Sequence, residues 1–409
     1  EKHYKSGNYN ISLIHQASVD LLHKKKQNVH AALNYLKTGL SYPNYKSIIQ
    51  EQLLRIQYHP DQDYWSRSFE MLIPHISGDM FIDLFKKSKD QHIINNIDMK
   101  LIEEHHFQSI ILYLADLRST DKMKKTEELT NELLLGFITT LGIKNPKYFS
   151  NIRGELTLWA SESDNPQHKK IAREKLNELN NVFREWIEQN SGNKEFNWES
   201  VLGFDKNISQ DLKKTLKKAI SETSIIAESV FIFSKGELIQ LKNISKEGIW
   251  CTLIGESHGK YVIRILVQLR DKRAYNFVIN INHELNKTRF KQETNWLVKL
   301  NANINSKKLV EDFGSFWVEK QIFTEEYISS ETVFQYLKRK ENEIASKEFQ
   351  DRWQMRWLHF IWNSVAAYLE FWKRSGQTRM IKDSTTQNLI IPEFDYYTGT
   401  RLINNQTLV

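Results

Sequence analysis

The spacing of apolar residues changes near residue 235, and this change predicts two kinds of structure along the chain. Before that point, apolar residues recur at three- and four-residue steps, as with Ile171, Leu176 and Leu179, which is typical of helices with one buried face. After it, short runs rich in β-branched and aromatic residues are separated by turn residues, which is typical of strands. The predicted strands cover residues 249–254, 261–269, 275–281, 315–321 and 323–328.

Two further helices are predicted within the strand-rich part. One covers residues 287–300, between the third and fourth strands, and the other covers residues 351–374. The longer helix carries aromatic and aliphatic residues at three- and four-residue steps, among them Val365, Leu369 and Trp372. Such a stripe predicts a face that packs into a core.

These patterns predict an α+β protein. We expect an all-helical N-terminal domain of residues 1–195, a connecting helical segment of residues 196–234, and a domain of residues 235–409. The last domain is expected to have an antiparallel β lobe and a helical lobe that is truncated or reduced. A chain of 409 residues exceeds what one ordinary hydrophobic core accommodates, so several domains are the natural expectation.

Composition is that of a globular protein, with 40% hydrophobic and 26% charged residues. No apolar run approaches the roughly 18 residues of a membrane span, so no span is expected, and the residues from Glu1 onward predict no signal peptide. The single cysteine, Cys251, excludes a disulfide framework and a cysteine zinc site within this chain. These features favour a cytoplasmic location.

The charge balance is mildly basic, at +7 from 57 basic and 50 acidic residues. Part of the excess lies on one face of a predicted helix that Ser209 caps, and the lysines of that face are Lys213, Lys214, Lys217 and Lys218. A solvated surface is the ordinary interpretation of such a face, and a nucleic-acid contact is the alternative.

The segment that carries the most chemical information is residues 381–388, with the sequence IKDSTTQN, followed by the apolar residues 389–391. An Asp followed five residues later by an Asn, just before an apolar strand, resembles the catalytic loop of protein kinases. The resemblance covers roughly residues 235–405. It implies that Asp383 is the catalytic base and that Asn388 is a catalytic-loop ligand of magnesium.

Residues 254–262, with the sequence IGESHGKYV, are similar to the glycine-rich loop of that family. The resemblance implies that Gly255, Gly259 and Lys260 cover the phosphates of ATP. In the third strand the lysine position of the family is occupied by Asn280, which cannot supply a positive charge. Lys260 is one candidate for a displaced lysine, and Arg264 is another.

The remaining family positions follow in order. Glu293 falls on the helix after the third strand, at the place of the glutamate that pairs with the missing lysine. Residues 323–333 are similar to the strand that leads into the interlobe hinge, which implies that Glu326, Tyr327 and Ile328 lie beside the adenine base.

The Asp-Phe-Gly position of the family reads Asn404, Asn405 and Gln406 here. Loss of that carboxylate removes the strongest magnesium ligand, because Mg²⁺ prefers anionic oxygen, although Asn404 remains a candidate ligand. ATP and Mg²⁺ are the implied cofactors.

Three functions are therefore open: an ATP-dependent phosphoryl or other adenylate-linked transferase, an inactive pseudokinase scaffold, and a helical adaptor. The missing lysine and aspartate favour the second, and the retained Asp383 and Asn388 favour the first. The expected partners are a nucleotide and a protein that binds the helical domain, with nucleic acid as a further possibility.

Overall fold

A computed structural model of the chain describes residues 10–22, 29–55, 62–87, 97–120, 128–192, 196–257, 259–282, 287–301 and 313–327. It also describes single positions in the last part of the chain, namely 335, 338, 358, 362, 365, 366, 369, 372, 389, 390, 401 and 402. The described residues combine helices with a mixed six-stranded sheet in the C-terminal part, so the chain is α+β.

The chain divides into two compact units. The first comprises Glu1–Asn145 and Trp159–Leu176, and the second comprises Pro146–Leu158 and Asn177–Val409. Positions 195 and 234, where the sequence suggested boundaries, both fall inside the second unit, and the three-part division stays a prediction. Within the described residues, no helix is long and apolar enough to cross a membrane.

The first unit is built from helices. They are α1 (Ile11–Leu22), α2 (Val29–Gly39), α3 (Pro43–Arg55), α4 (Gln62–Leu72), α5 (Gly78–Lys87), α6 (Glu104–Thr120) and α7 (Glu128–Lys144). Two more helices, α8 (Phe149–Glu162) and α9 (Pro166–Ser191), contribute residues to both units.

The core of the first unit is rich in aromatic side chains. Phe81 stacks on Phe69 with ring centroids 5.6 Å apart, and the ring of Phe137 lies 6.3 Å from Phe81 and 5.1 Å from Phe85. Offset and edge contacts of this kind add to the stabilisation from burial alone. They join helices α4, α5 and α7 in one core.

His106, at the start of α6, is fully buried beside this core. Its Nδ1 accepts a hydrogen bond from the backbone N–H of Glu103 at 3.2 Å, so its Nε2 carries the proton and donates to the carbonyl of Ile76 at 3.1 Å. Burial, with His105 as a further cause, lowers the pKa of His106 below its ordinary value. The neutral imidazole therefore satisfies a backbone donor at the helix start, as a capping glutamate does elsewhere.

The second unit contains the sheet. Its strands are β1 (Leu202–Phe204), β2 (Ile244–Ser257), β3 (Lys260–Leu269), β4 (Ala274–Asn282), β5 (Phe313–Trp317) and β6 (Ile322–Glu326). The order across the sheet is β1-β2-β3-β4-β6-β5. β1 is parallel to β2, and the other neighbours are antiparallel.

Three helices of this unit are α10 (Gln210–Ser221), α11 (Ile225–Phe233) and α12 (Lys287–Asn301). α11 packs on one face of the sheet, where Phe233 stacks on Phe277 at 5.9 Å and Ser229 donates to Thr324 at 2.9 Å. α12 packs on the other face, where Phe290 and Leu297 share a core with Phe323.

The outer strand β5 is fixed by two arginines from the helices. Arg153 of α8 is 4% exposed and donates to the carbonyls of Gly314 at 2.7 Å and Phe313 at 3.3 Å. Arg184 of α9 donates to the carbonyl of Phe316. Since an outer strand presents backbone groups without a neighbouring strand, these guanidinium groups take the place of one.

A buried carboxylate completes this arrangement. Glu228 of α11 is 1% exposed and accepts hydrogen bonds from Ser224 and Ser315, with Arg184 at 3.9 Å. Burial lowers the pKa of Arg153 to about 9, and Glu228 opposes that effect, so the arginine is charged at neutral pH. The helices and the sheet of the second unit are thus joined by polar groups as well as by apolar packing.

The structure confirms the helix between β4 and β5 and the positions of the predicted strands, except that the strand predicted over residues 315–321 ends at Trp317 and Val318–Lys320 form a 3₁₀ turn. It adds β1, which lies in the segment that the sequence predicts to be only helical, because three residues give too short a pattern to recognise. A second small sheet pairs β7 (Leu389–Ile390) with β8 (Arg401–Leu402) in antiparallel register, and β7 lies at the apolar strand predicted after residue 388.

The predicted core stripe of residues 351–374 differs from the structure at its described positions. Val365, Leu369 and Trp372 are helical, but they are 46%, 58% and 39% exposed. The helical period is correct, whereas burial depends on what covers the face, and the period carries no information about that.

We predict that Arg153→Met lowers the free energy of unfolding by about 3 kcal/mol, because two buried carbonyls and Glu228 lose a charged partner. Urea denaturation measures the change. The matched control is Arg173→Met on the exposed surface of α9, which should change stability by less than about 0.5 kcal/mol. Equal effects of the two substitutions would contradict the role assigned to Arg153.

A second prediction concerns pH. The folded state lowers the pKa of His106 below 6.5, so the unfolded chain binds the proton more readily. The contribution of His106 is therefore complete above pH 6.5 and is lost as the pH falls below that value. In urea titrations between pH 7.5 and 5, His106→Gln should reduce the pH dependence of stability. Its control, His15→Gln, replaces an exposed histidine of α1 and should leave that dependence closer to that of the unaltered protein.

Candidate functional site

The sequence-predicted loop is a β-hairpin turn between β2 and β3. Gly255 lies across from Val262, and Ser257 lies across from Lys260. Gly259 is in the turn with φ of 78°, a conformation that glycine adopts without strain. A side chain at Gly255 would only touch Val262, at 3.5 Å. The strand–turn–strand context predicted for this loop is therefore confirmed, while His258 lies outside the described residues.

Lys260 is the most unusual residue of the hairpin. Its side chain is 3% exposed, and its Nζ lies 5.1 Å from the centroid of the Phe323 ring. Within the described part of the chain, it makes no hydrogen bond or ion pair. The aromatic face attracts the ammonium but supplies neither a hydrogen-bond acceptor nor a negative charge.

Asn280, at the position where the resemblance expects a lysine, is 1% exposed and lies across from Val262 and Phe323. Its Nδ2 donates to Oε2 of Glu325 at 2.6 Å. Its Oδ1 is buried and has no hydrogen-bond partner among the described residues. The amide thus holds Glu325 in place and presents one acceptor that the described chain does not use.

Asn282 lies two residues further along β4 and directly across from Lys260. It is 3% exposed, and its Nδ2 is buried without a hydrogen-bond partner among the described residues. Cross-strand partners share one face of a sheet, so Lys260 and Asn282 are neighbours. Asn280 lies two residues before Asn282 on β4, and its side chain is therefore on the same face.

Of the predicted hinge residues, Tyr327 lies near Arg264 of this face, whereas Glu326 is the cross-strand partner of Phe277 and belongs to the face toward α11. Both residues are partly exposed. The guanidinium of Arg264 lies 4.4 Å from the centroid of the Tyr327 ring, and its Nε donates to Asn276 at 3.2 Å. Arg264 is therefore engaged at the far end of the face and does not replace the missing lysine beside Asn280.

The opposite face offers no thiol chemistry. Cys251 pairs with Ile265 on the face toward α11, and burial raises the pKa of its thiol to about 12. The described residues include no cluster of three or more His, Cys, Asp or Glu side chains that could hold a metal ion.

Several predicted site residues cannot be located. Ile328, Asp383, Asn388 and Asn404 lie outside the described residues, and Glu293 is placed on α12 by its backbone alone. The hairpin of β7 and β8, which follows Asn388 in the sequence, is described. The structure thus brings together Gly255, Gly259, Lys260 and Asn280 and leaves the second half of the predicted site as a prediction.

Two residues of the site were missed by sequence reasoning. Asn282 and Glu325 belong to the same face as Lys260 and Asn280. The signal for Asn282 was present in the sequence, because polar residues that alternate with apolar ones along a buried strand share a face. The signal for Glu325 was not, since its bond to Asn280 depends on the pairing of β4 with β6.

Comparison with known proteins adds no assignment: no protein-family model matches the chain, and no curated protein is significantly similar to it in sequence.

The chemistry of the face follows from its polar atoms. It offers one cation without a counter-ion and one buried amide donor near the hairpin turn, and an amide acceptor beside a carboxylate further along. The apolar residues Val262 and Val278 lie on the same face between these groups and Arg264. The cation and the buried donor suit an anionic group.

We predict that Asn280 and Glu325 are energetically coupled. Asn280→Leu should lower the free energy of unfolding by about 2 kcal/mol, since it removes the donor to a carboxylate that is 5% exposed. The double substitution with Glu325→Met should cost less than the sum of the single ones. Urea denaturation of the four proteins in this cycle measures the coupling, and strict additivity would contradict it.

Proposed function

We propose that the second unit is a kinase-like domain that binds ATP on the polar face of its sheet. The observation that carries the proposal is Lys260, which is 3% exposed, makes no ion pair within the described chain and lies at a glycine-containing hairpin turn. An anionic ligand would supply the counter-charge that this group lacks.

The arrangement of the elements supports the same proposal. Three antiparallel strands, β2 to β4, are followed by α12 and then by β5 and β6. This is the order that the resemblance to protein kinases implies, with the loop between the first two strands and the expected lysine position in the third. The helix α12, which carries Glu293, packs on the same face of the sheet as Lys260 and Asn280.

In this proposal Lys260 replaces the strand lysine of the family. Asn280 occupies the position of that lysine, but its amide donates a hydrogen bond to Glu325. Asn280 therefore positions a carboxylate and supplies no positive charge to the phosphates. Gly255 and Gly259 allow the backbone of the hairpin to approach the phosphates. Glu326, Tyr327 and Ile328 are assigned to the edge of the adenine base.

The ammonium of Lys260 and the buried amide donor of Asn282 near the hairpin turn fit a phosphate chain. Mg²⁺ is assigned to Asn388 and Asn404 on the resemblance alone. When bound, it would neutralise charge on the transferring phosphoryl group. Asp383 would orient the accepting hydroxyl and take its proton, and Lys260 would hold the phosphates in position for the transfer.

An inactive pseudokinase scaffold is the second candidate. Two neutral amides favour this scaffold. Asn280 stands where the family has a lysine, and Asn404 stands where the family has an aspartate. In that case the helical part would bind a protein partner. The exposed lysines of α10 keep nucleic acid as a further partner to test, and the cytoplasmic location belongs to the same proposal.

Calorimetric titration with ATP, with and without Mg²⁺, tests the proposal. We expect binding that Lys260→Met weakens at least 30-fold, which is about 2 kcal/mol, the range of a charged hydrogen bond. The control Lys242→Met removes an exposed lysine of the same unit and should leave affinity unchanged. Absence of binding at millimolar ATP would overturn the proposed nucleotide site.

The same titration separates the two candidates. If Asp383→Ala with Asn388→Ala abolishes the effect of Mg²⁺ on ATP binding, the transferase is favoured and a search for the acceptor follows. If ATP binds and neither Mg²⁺ nor this double substitution changes its affinity, the scaffold is favoured.

A further inference from the structure

We propose that Lys260 and Asn282 together form a phosphate-binding pair. The site would then bind a triphosphate group even when no adenine base is attached to it. The inference rests on the proposed nucleotide site and adds a residue, Asn282, that the resemblance does not assign. It names the ligand of this part of the face as an inorganic or nucleotide phosphate chain.

The first step is the position of the two side chains. Lys260 begins β3 and Asn282 ends β4, and they are direct cross-strand partners. The Cβ atoms of such partners are about 5 Å apart. Their donor groups can therefore reach two oxygens of one phosphoryl group or of adjacent ones.

The second step is their lack of partners. The Nδ2 of Asn282 is buried, and no group of the described chain accepts its hydrogen bond. The ammonium of Lys260 likewise makes no hydrogen bond or ion pair there. Buried donors in proteins are satisfied in the large majority of cases, so the buried Nδ2 of Asn282, beside a cation without a counter-ion, indicates a missing acceptor.

The third step is the chemistry of that acceptor. A cation and an amide donor side by side repel metal cations and attract an oxyanion. A phosphate chain supplies several anionic oxygens along one line, and charged hydrogen bonds to phosphate are among the strong ones in proteins. The backbone of Asn282 is fixed independently, because its N–H donates to the carbonyl of Gln321 at 3.0 Å.

The test uses inorganic triphosphate as the probe, titrated into the full chain by calorimetry at low and moderate salt. We expect binding that weakens with salt, because it depends on charge. Asn282→Leu should weaken it about tenfold, and Lys260→Met should weaken it more. The matched control is Gln268→Leu, an amide-to-leucine change at an exposed position of β3, which should have no effect.

Asn282→Asp separates loss of the site from loss of the fold. The new carboxylate would pair with the Lys260 ammonium, so the variant should unfold at the same or a higher temperature than the unaltered protein. It should nevertheless lose triphosphate binding, because the counter-charge is already supplied. A folded Asn282→Asp protein that binds triphosphate as the unaltered protein does would overturn the inference.

The outcomes also distinguish this inference from the proposed function. Binding of ATP that Asn282→Leu and Asn282→Asp leave unchanged would overturn the phosphate-binding pair and retain the nucleotide site. Binding of triphosphate that depends on both residues, with no gain from the adenosine part, would support the pair and count against an adenine site.

Discussion

The lack of a counter-ion at Lys260 is the constraint on which the account of the second unit depends. The residue is 3% exposed, and the described chain places only the face of Phe323 near its ammonium. The opposite face of the sheet, toward α11, combines the fully buried Phe277 and Ile279 with hydrogen bonds between buried polar groups such as Ser229 and Thr324.

The outer strand beyond β6 shows how the second unit is held together. Arg153 and Arg184 bind the carbonyls of β5, and Glu228 balances their charge beside two serines. These groups come from helices that precede the sheet in the chain. The sheet is therefore built on helices α8, α9 and α11, and a boundary at residue 234 would separate Glu228 from the strand that it supports.

The sequence predicted the order of strands and of α12 because alternation and helical period are local properties. It also placed Gly255, Gly259 and Lys260 on one hairpin correctly. It did not predict the Asn280–Glu325 bond, the arginines on β5 or the pairing of Lys260 with Asn282, because each depends on residues that are brought together by the sheet. The exposed positions Val365, Leu369 and Trp372 show the same limit: a period identifies a face but not its partner.

The most direct measurement is an experimental structure of this chain with a non-hydrolysable ATP analogue and Mg²⁺. The account predicts a phosphate oxygen within about 3 Å of Lys260 Nζ, the distance of a charged hydrogen bond, with the base over Val262 and Val278. A nucleotide bound away from this face, with Lys260 still buried on Phe323 alone, would contradict it.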